Sequence, residues 1–132
     1  MPTRAKAGET PQWITLDSSC WIEYLRDTPR AELFASAAEN PEQLIVPIVT
    51  IYEVSKKLHR EISPKVAAYA EALMCRGHVI DFDLALCRAA IGNKLPLADS
   101  LIYATARAHG ATLWTQDAHF EGLAGVNYFS KD

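Results

Sequence analysis

Residues 96–119 read PLADSLIYATARAHGATLWTQDAH, and this stretch decides the fold. Apolar residues recur at helical spacing across residues 98–108, and Gly110 is typical of the left-handed residue that ends a helix. Residues 111–115, which follow, predict a short buried strand. The pattern therefore predicts a helix and a strand joined by a tight turn.

Two carboxylates flank this pair, Asp99 near the start of the helix and Asp117 just after the strand. A helix of about eleven residues and a strand of about five each span roughly 17 Å, and the turn makes them antiparallel. The start of the helix is therefore expected to lie over the end of the strand, so the two acids share one rim. In sheets wrapped by helices, ligands bind at the carboxyl ends of the strands.

The rest of the chain alternates between strand and helix patterns. Short apolar runs predict further strands at residues 13–16, 44–46, 78–80 and 126–129. Helices are expected to begin at Ser18 or Ser19, at Thr28-Pro29, about Thr50, at Ser63-Pro64 and after Asp83. This alternation favours one α/β domain built on a parallel sheet.

Length and composition agree with a single domain. The chain has 132 residues, of which 49% are hydrophobic, and no apolar run approaches the roughly 20 residues of a membrane span. Residues 1–12 are polar and are interpreted as a flexible N-terminal tail, not as a secretory signal. A soluble, cytoplasmic protein is therefore expected. The net charge of −3 gives no global basic surface, so a nucleic-acid partner would need local basic patches or metal ions.

Cysteine and histidine give no metal-binding pattern. The three cysteines are far apart and the four histidines lack a spacing such as His-Glu-x-x-His. Each histidine, His119 included, is predicted to be structural or exposed.

Four carboxylates are predicted to meet at one rim. Asp17 ends the first strand and Glu53 lies in the first turn after the second, beside Asp99 and Asp117. Such clustering costs free energy unless a multivalent cation, a proton or a basic partner compensates the repulsion. Ligands that are all oxygen suit Mg²⁺ or Mn²⁺, and metal-assisted phosphodiester hydrolysis is the chemistry that such a site supports.

Each acid also has a simpler interpretation. Glu53 with Thr50 fits a capping box, Asp99 would interact favourably with a helix dipole, and Asp17 and Asp117 could shape turns. Caps explain acids at helix starts. They do not explain why two strand ends carry acids at the same rim.

Four motifs carry a resemblance to a known family: LDSSCWIEYL from Leu16, TIYEV from Thr50, LPLADSLIYATA from Leu95 and LWTQD from Leu113. In this order, over residues 13–129, the chain resembles PIN-domain ribonucleases, specifically the VapC toxins of bacterial toxin–antitoxin pairs. The resemblance implies a single PIN domain at residues 13–132. It also implies a three-layer α/β/α fold whose parallel sheet has four to five strands in the order 3-2-1-4-5.

The resemblance also implies a function. It implies a toxin that is a Mg²⁺- or Mn²⁺-dependent endoribonuclease and that cleaves structured RNA such as tRNA or ribosomal RNA. It also implies that the protein forms a homodimer and is inhibited by a cognate VapB-type antitoxin. Matching the motifs places the catalytic, metal-binding quartet on Asp17, Glu53, Asp99 and Asp117. Thr115 matches a hydroxyl residue that orients a carboxylate or water, although it also suits an ordinary β-branched strand position.

Two other functions use similar parts. A phospho-acceptor domain like the response-regulator receivers would need paired acids after the first strand and a Lys-Pro after its last strand. No Lys or Pro occurs between Asp117 and Tyr128. A PIN scaffold that binds without cleaving is disfavoured because acids stand at all four positions.

Basic and aromatic residues are candidates for RNA contacts. The basic candidates are Arg26, Lys56, Lys57 and Arg60, although exposed charges on helix faces are the ordinary case. The aromatic candidates are Trp21, Tyr52 and Tyr103, which helical spacing assigns more readily to the core or to a dimer contact.

Overall fold

Helices and strands alternate along residues 12–131, the part of the chain that the computed structural model describes. The strands are β1 (Trp13–Leu16), β2 (Ile45–Pro47), β3 (His78–Ile80), β4 (Ala111–Thr115) and β5 (Val126–Tyr128). The helices are α1 (Ser18–Leu25), α2 (Ala31–Ala38), α3 (Ile48–Glu61), α4 (Pro64–Met74), α5 (Leu84–Ile91) and α6 (Leu97–Ala108). Two single 3₁₀ turns, Pro41–Gln43 and Ala118–Phe120, complete the order. The predicted tail lies, apart from Gln12, outside the described residues.

All strand pairs are parallel, as predicted. Hydrogen bonds join β1, β4 and β5 in that order and join β2 to β3 separately. A single bridge between Ile14 and Leu44 links the two parts, and across it the order is 3-2-1-4-5. The bridge lies directly before β2, which has only three residues. The sheet is thus the predicted one, divided at its β2–β1 junction.

Helices cover both faces of this sheet, which confirms the three-layer α/β/α architecture. One core cluster contains Trp21, Phe34 and Leu58 from α1, α2 and α3. A second cluster contains Ile102 from α6 and Leu113 from β4. Strands β1, β2 and β4 contribute apolar side chains to both clusters, and the carboxyl ends of the parallel strands lie together at one rim of the sheet.

One helix cap and one helix start differ from those predicted. The side chain of Asp17, not Ser18 or Ser19, caps α1 by accepting a hydrogen bond from the Ser18 N–H at 2.8 Å. Helix α2 begins at Ala31, beyond Thr28-Pro29, because the Thr28 hydroxyl accepts from the Arg30 N–H and forms a turn first.

Helix α3, in contrast to α2, begins earlier than predicted. It starts at Ile48 directly after Pro47, so Thr50 is a buried residue inside the helix and not its cap. The predicted caps of the next helices are confirmed, since Ser63 accepts from the Val66 N–H at 3.1 Å and Asp83 accepts from the Leu86 N–H at 2.9 Å. Gly110 has φ +65°, the left-handed conformation predicted for the turn between α6 and β4.

Among residues 12–131, no helix is long and apolar enough to cross a membrane. Helix α5 and the start of α6 nevertheless expose large apolar side chains, with Ile91 76% exposed and Leu97 81% exposed. The homodimer implied by the resemblance remains a prediction.

Candidate functional site

The register of β1 and β4 places two site residues side by side. Leu16 pairs with Trp114, and the Asp17 N–H donates to the Trp114 carbonyl at 2.9 Å, so Asp17 and Thr115 lie at neighbouring strand ends. The Thr115 hydroxyl donates to Asp17 Oδ2 at 2.9 Å. The Thr115 hydroxyl oxygen in turn accepts from the Asp117 N–H at 2.9 Å. Thr115 therefore fixes the positions of two carboxylate residues at once.

Asp17 is a buried acid, with 4% of its surface exposed. Its pKa is raised from 3.8 to about 6, chiefly by the loss of hydration on burial, with a smaller contribution from the negative charges of Asp99 and Glu53. Hydrogen bonds from Thr115 and from the Ser18 N–H act in the opposite direction but do not offset burial. The carboxylate form of Asp17 is thus destabilised at this position in the metal-free protein.

Glu53 projects from α3 toward the start of α1. The Ser18 hydroxyl donates to Glu53 Oε1 at 2.6 Å, a short hydrogen bond to a carboxylate. Because Thr50 lies inside α3, the capping-box interpretation of Glu53 is wrong. Ser18, predicted only as a cap, instead orients an acid of the candidate site.

Asp99 and Asp117 lie close together at the same rim. Asp99 is in the first turn of α6, and α6 has no side-chain cap. Burial and then the charge of Asp117 raise the pKa of Asp99, while contacts with His119 lower it. Asp117 Oδ1 accepts from the His119 N–H at 2.9 Å, so Asp117 caps the 3₁₀ turn that follows β4.

His119 is the site residue that the sequence did not identify. Its Nδ1 lies 3.1 Å from Asp117 Oδ1 and 3.4 Å from Asp99 Oδ2. The interpretation of His119 as exposed is confirmed, since its side chain is 59% exposed, but the ring also joins the two acids. The available signal was an Asp-x-His sequence directly after a strand, which a search for helical histidine spacing does not detect.

The donor set fits a divalent cation. Ligand atoms of Asp99, Asp117 and His119 all lie within 4.8 Å of one another. The charge of Glu53 also acts on Asp17 and on Asp99, so all four predicted acids share one electrostatic environment. Carboxylate oxygens with one imidazole nitrogen can hold Mg²⁺ or Mn²⁺, and a bound cation would offset the repulsion that adds to burial in raising the pKa values of Asp17 and Asp99.

A groove of about 570 Å³ adjoins Glu53. Its lining includes Ser18, Tyr52, Glu53, Lys56, Lys57, Arg60, Gln116 and Lys131. The predicted basic residues differ in their contacts here. Arg26, Lys57 and Arg60 all approach Glu61, with N···O distances of 2.9, 3.9 and 3.3 Å. Lys56 instead contacts the Tyr52 hydroxyl at 3.0 Å, so its charge is not neutralised by Glu61.

The three aromatic candidates are placed differently. Trp21 is 1% exposed and belongs to the core. The Tyr103 hydroxyl donates to the Ala124 carbonyl at 2.8 Å, and its ring packs against Phe120. Tyr52 is 61% exposed beside Lys56, so its interpretation as a core residue is wrong and it is free to contact a ligand in the groove.

A second groove of about 440 Å³ adjoins His119. Its lining includes Lys94, Tyr103, His119 and Leu123. Glu53 lines the first groove and His119, which contacts Asp99 and Asp117, lines the second, so each of the two grooves contains lysine and touches the candidate site.

Comparison with known proteins identifies a family and a fold. The sequence model of the PIN domain family matches residues 14–126. No curated protein matches the chain in sequence. A toxin–antitoxin complex from Klebsiella pneumoniae contains a chain with a TM-score of 0.74 and 21% identity, and the match covers 89% of this chain and 98% of that one.

Two further solved structures have the same fold. VapC20 from Mycobacterium tuberculosis, a toxin that cleaves the sarcin-ricin loop, matches with a TM-score of 0.68 and 18% identity over 84% of this chain and 95% of its own. VapBC2 from Rickettsia felis, bound to a fragment of its promoter DNA, matches with a TM-score of 0.67 and 15% identity. The match covers 90% of this chain and 98% of that one. At these identities the likeness concerns the fold, and the activities belong to those proteins.

Proposed function

The chain belongs to the PIN domain family, and we propose that it is a metal-dependent endoribonuclease that acts as the toxin of a VapBC-type toxin–antitoxin pair. The observation that carries this proposal is the group of four acids at the carboxyl ends of β1 and β4 and on the facing turns of α3 and α6, where burial first, and then the charges of neighbouring acids, raise the pKa values of Asp17 and Asp99. A site with this excess of negative charge suits a divalent cation.

Asp17, Glu53, Asp99 and Asp117 would hold Mg²⁺ or Mn²⁺. When bound, such an ion supplies an activated water nucleophile and neutralises charge on the scissile phosphate. The chain's own residues pre-organise the carboxylates: Thr115 orients Asp17 and holds the backbone of Asp117. Ser18 directs Glu53 toward the same rim. Such hydroxyl contacts fix ligand orientation before the ion arrives.

The two grooves suit a structured RNA that crosses the acids. The first offers Lys56 and the exposed ring of Tyr52, and the second offers Lys94. Lysine pairs with phosphate and an exposed tyrosine can stack on an unpaired base. The fold is shared with a Mycobacterium tuberculosis toxin that cleaves an RNA loop, which supports structured RNA such as tRNA or ribosomal RNA as the substrate class. Such a substrate would place the activity in the cytoplasm.

Purified protein is expected to cleave structured RNA internally in the presence of Mg²⁺ or Mn²⁺ and to lose this activity in excess chelator, because the acids alone repel phosphate. The measurement is gel analysis of end-labelled tRNA and ribosomal RNA fragments, with activity restored by adding the metal back. Absence of cleavage by folded, metal-loaded protein across these RNAs would favour the scaffold that binds without cleaving.

A cognate antitoxin is the proposed partner. The matched structures include toxin–antitoxin complexes, and the acidic rim of this chain favours binding of a positively charged segment. An antitoxin tail that presents Arg or Lys is expected to occupy the groove beside Glu53 and to block RNA. Cleavage assays with the co-expressed complex should show inhibition, and a structure of the complex with the antitoxin confined to the opposite face would contradict this mode of binding.

The receiver-like alternative does not fit the sheet. Receiver domains of the flavodoxin-like type have the strand order 2-1-3-4-5, with the first strand between the second and the third. Here β1 lies between β2 and β4, and β3 is paired with β2 alone. The acids therefore surround a different strand junction from that of a phospho-acceptor domain.

A further inference from the structure

The His119 ring is held against two acids by its own backbone. Asp117 Oδ1 accepts from the His119 N–H at 2.9 Å, and the same carboxylate oxygen lies 3.1 Å from His119 Nδ1. Asp99, from a different helix, approaches Nδ1 at 3.4 Å. The imidazole nitrogen thus faces one carboxylate from the β4 end and one from the start of α6.

These separations match the edges of a metal coordination sphere. Adjacent ligands of an octahedral ion with bonds of about 2.1 Å lie roughly 3.0 Å apart. The observed Nδ1 to oxygen distances of 3.1 and 3.4 Å are close to that value. All three ligand atoms lie within 4.8 Å of one another, so one ion could contact Nδ1 and an oxygen of each acid once the side chains adjust around it.

We propose that His119 Nδ1 is a direct ligand of the ion held by Asp99 and Asp117, and that this nitrogen gives the site a preference for Mn²⁺ over Mg²⁺. The inference rests on the proposed function, because it adds a ligand to the same metal site. Mg²⁺ favours oxygen ligands and retains its waters, whereas first-row transition ions accept imidazole more readily. A carboxylate-only site would lack this source of selectivity.

The test uses the full-length, metal-free protein loaded with Mn²⁺ alone. Pulsed electron paramagnetic resonance detects a coordinated ¹⁴N nucleus directly through its coupling to the Mn²⁺ electrons. The variant is His119→Gln, which retains the backbone N–H that binds Asp117 and changes a side chain that is 59% exposed. The matched control is His59→Gln, an exposed histidine about two turns along α3 from Glu53.

Wild type and His59→Gln are expected to show nitrogen coupling, and His119→Gln is expected to lose it. Competition of Mg²⁺ against Mn²⁺ should show that His119→Gln loses roughly tenfold in Mn²⁺ affinity while its Mg²⁺ affinity changes much less. Bound Mn²⁺ without nitrogen coupling in wild type would overturn this inference and leave an all-carboxylate site. Failure of wild type to bind Mn²⁺ at all would overturn the proposed metal centre together with its histidine ligand.

Discussion

Asp17→Asn is expected to lower RNA cleavage by at least about 100-fold while leaving the metal-free protein folded and more stable at neutral pH. The loss follows because the proposed ligand loses its charge, and even groups that only orient a metal ligand contribute 10- to 100-fold. The fold should survive because Asn has nearly the same volume and can still accept the hydrogen bond from the Ser18 N–H. Expression without an antitoxin should then no longer arrest bacterial growth.

The gain in stability follows from the raised pKa of Asp17. Because this pKa is about 6 in the folded protein and 3.8 for an ordinary aspartate, the native state binds more protons than the unfolded state between these values. The free energy of unfolding therefore falls as pH rises from about 4 to about 6, by roughly 3 kcal/mol at most. The Asp17→Asn variant has no carboxyl group at this position, so its free energy of unfolding should not fall in this way. The difference in stability between the variant and wild type should therefore increase as the pH rises from about 4 to about 6.

Urea unfolding of both proteins between pH 4 and pH 7, without metal, measures this difference. Asp99 also has a raised pKa, but it is present in both proteins and contributes little to the comparison. Asp83→Asn is the matched control, because Asp83 caps α5 at an exposed position. Its pH profile and RNA cleavage should follow wild type. Wild-type toxicity from a well-folded Asp17→Asn protein would contradict the assigned role.

Strands were predictable where continuous apolar runs left little choice. The runs at residues 78–80 and 111–115 coincide with β3 and β4, because each is a short run, mainly of apolar and β-branched residues, that directly follows a glycine. Helix starts were less predictable because several residues in a row can cap. Beside Pro29, the hydroxyl of Thr28 forms a separate turn before α2 begins, a local competition that sequence spacing does not resolve.

The positions of Asp17, Asp99 and Asp117 were predictable because each follows a strand or lies in the first turn of a helix, and parallel strands end at one rim. The contacts that orient them were not. Ser18 meets Glu53 across 35 positions of sequence, and the two belong to different helices. His119 reaches Asp99 only because the 3₁₀ turn after β4 directs its ring toward α6. Such contacts depend on the packing of separate elements, which no local pattern encodes.

Asp99→Asn and Glu53→Gln are expected to abolish the stabilisation that Mn²⁺ confers while leaving the metal-free protein equally or more stable. The structure gives neither acid a capping hydrogen bond: the cap of α6 is Pro96, and Glu53 lies well inside α3. Neutralising either acid removes repulsion, since Asp117 and Glu53 both raise the pKa of Asp99. For Asp99 this gain opposes the loss of a dipole interaction worth about 0.3–1 kcal/mol.

Ser63→Ala is expected to have the opposite effects on stability to those of Asp99→Asn and Glu53→Gln. Ser63 is a true cap, whose hydroxyl accepts from the Val66 N–H at 3.1 Å at the start of α4. Its replacement should destabilise the protein by about 1 kcal/mol without metal and retain the full response to Mn²⁺. Replacing a cap should lower the stability of the metal-free protein and leave the stabilisation by Mn²⁺ unchanged. Replacing a metal ligand should leave the metal-free protein equally or more stable and remove the stabilisation by Mn²⁺.

Thermal unfolding with and without Mn²⁺, paired with cleavage of a structured RNA, measures both signs. At a Mn²⁺ concentration 100 times its dissociation constant, wild type should gain about 3 kcal/mol, and the ligand variants should gain almost none of it. Glu53→Gln can still accept a hydrogen bond from Ser18, so a lost metal response would report the missing charge and not a displaced helix. If Mn²⁺ stabilises both variants and both still cleave RNA, Asp99 and Glu53 are not ligands and the proposed carboxylate site reduces to Asp17 and Asp117.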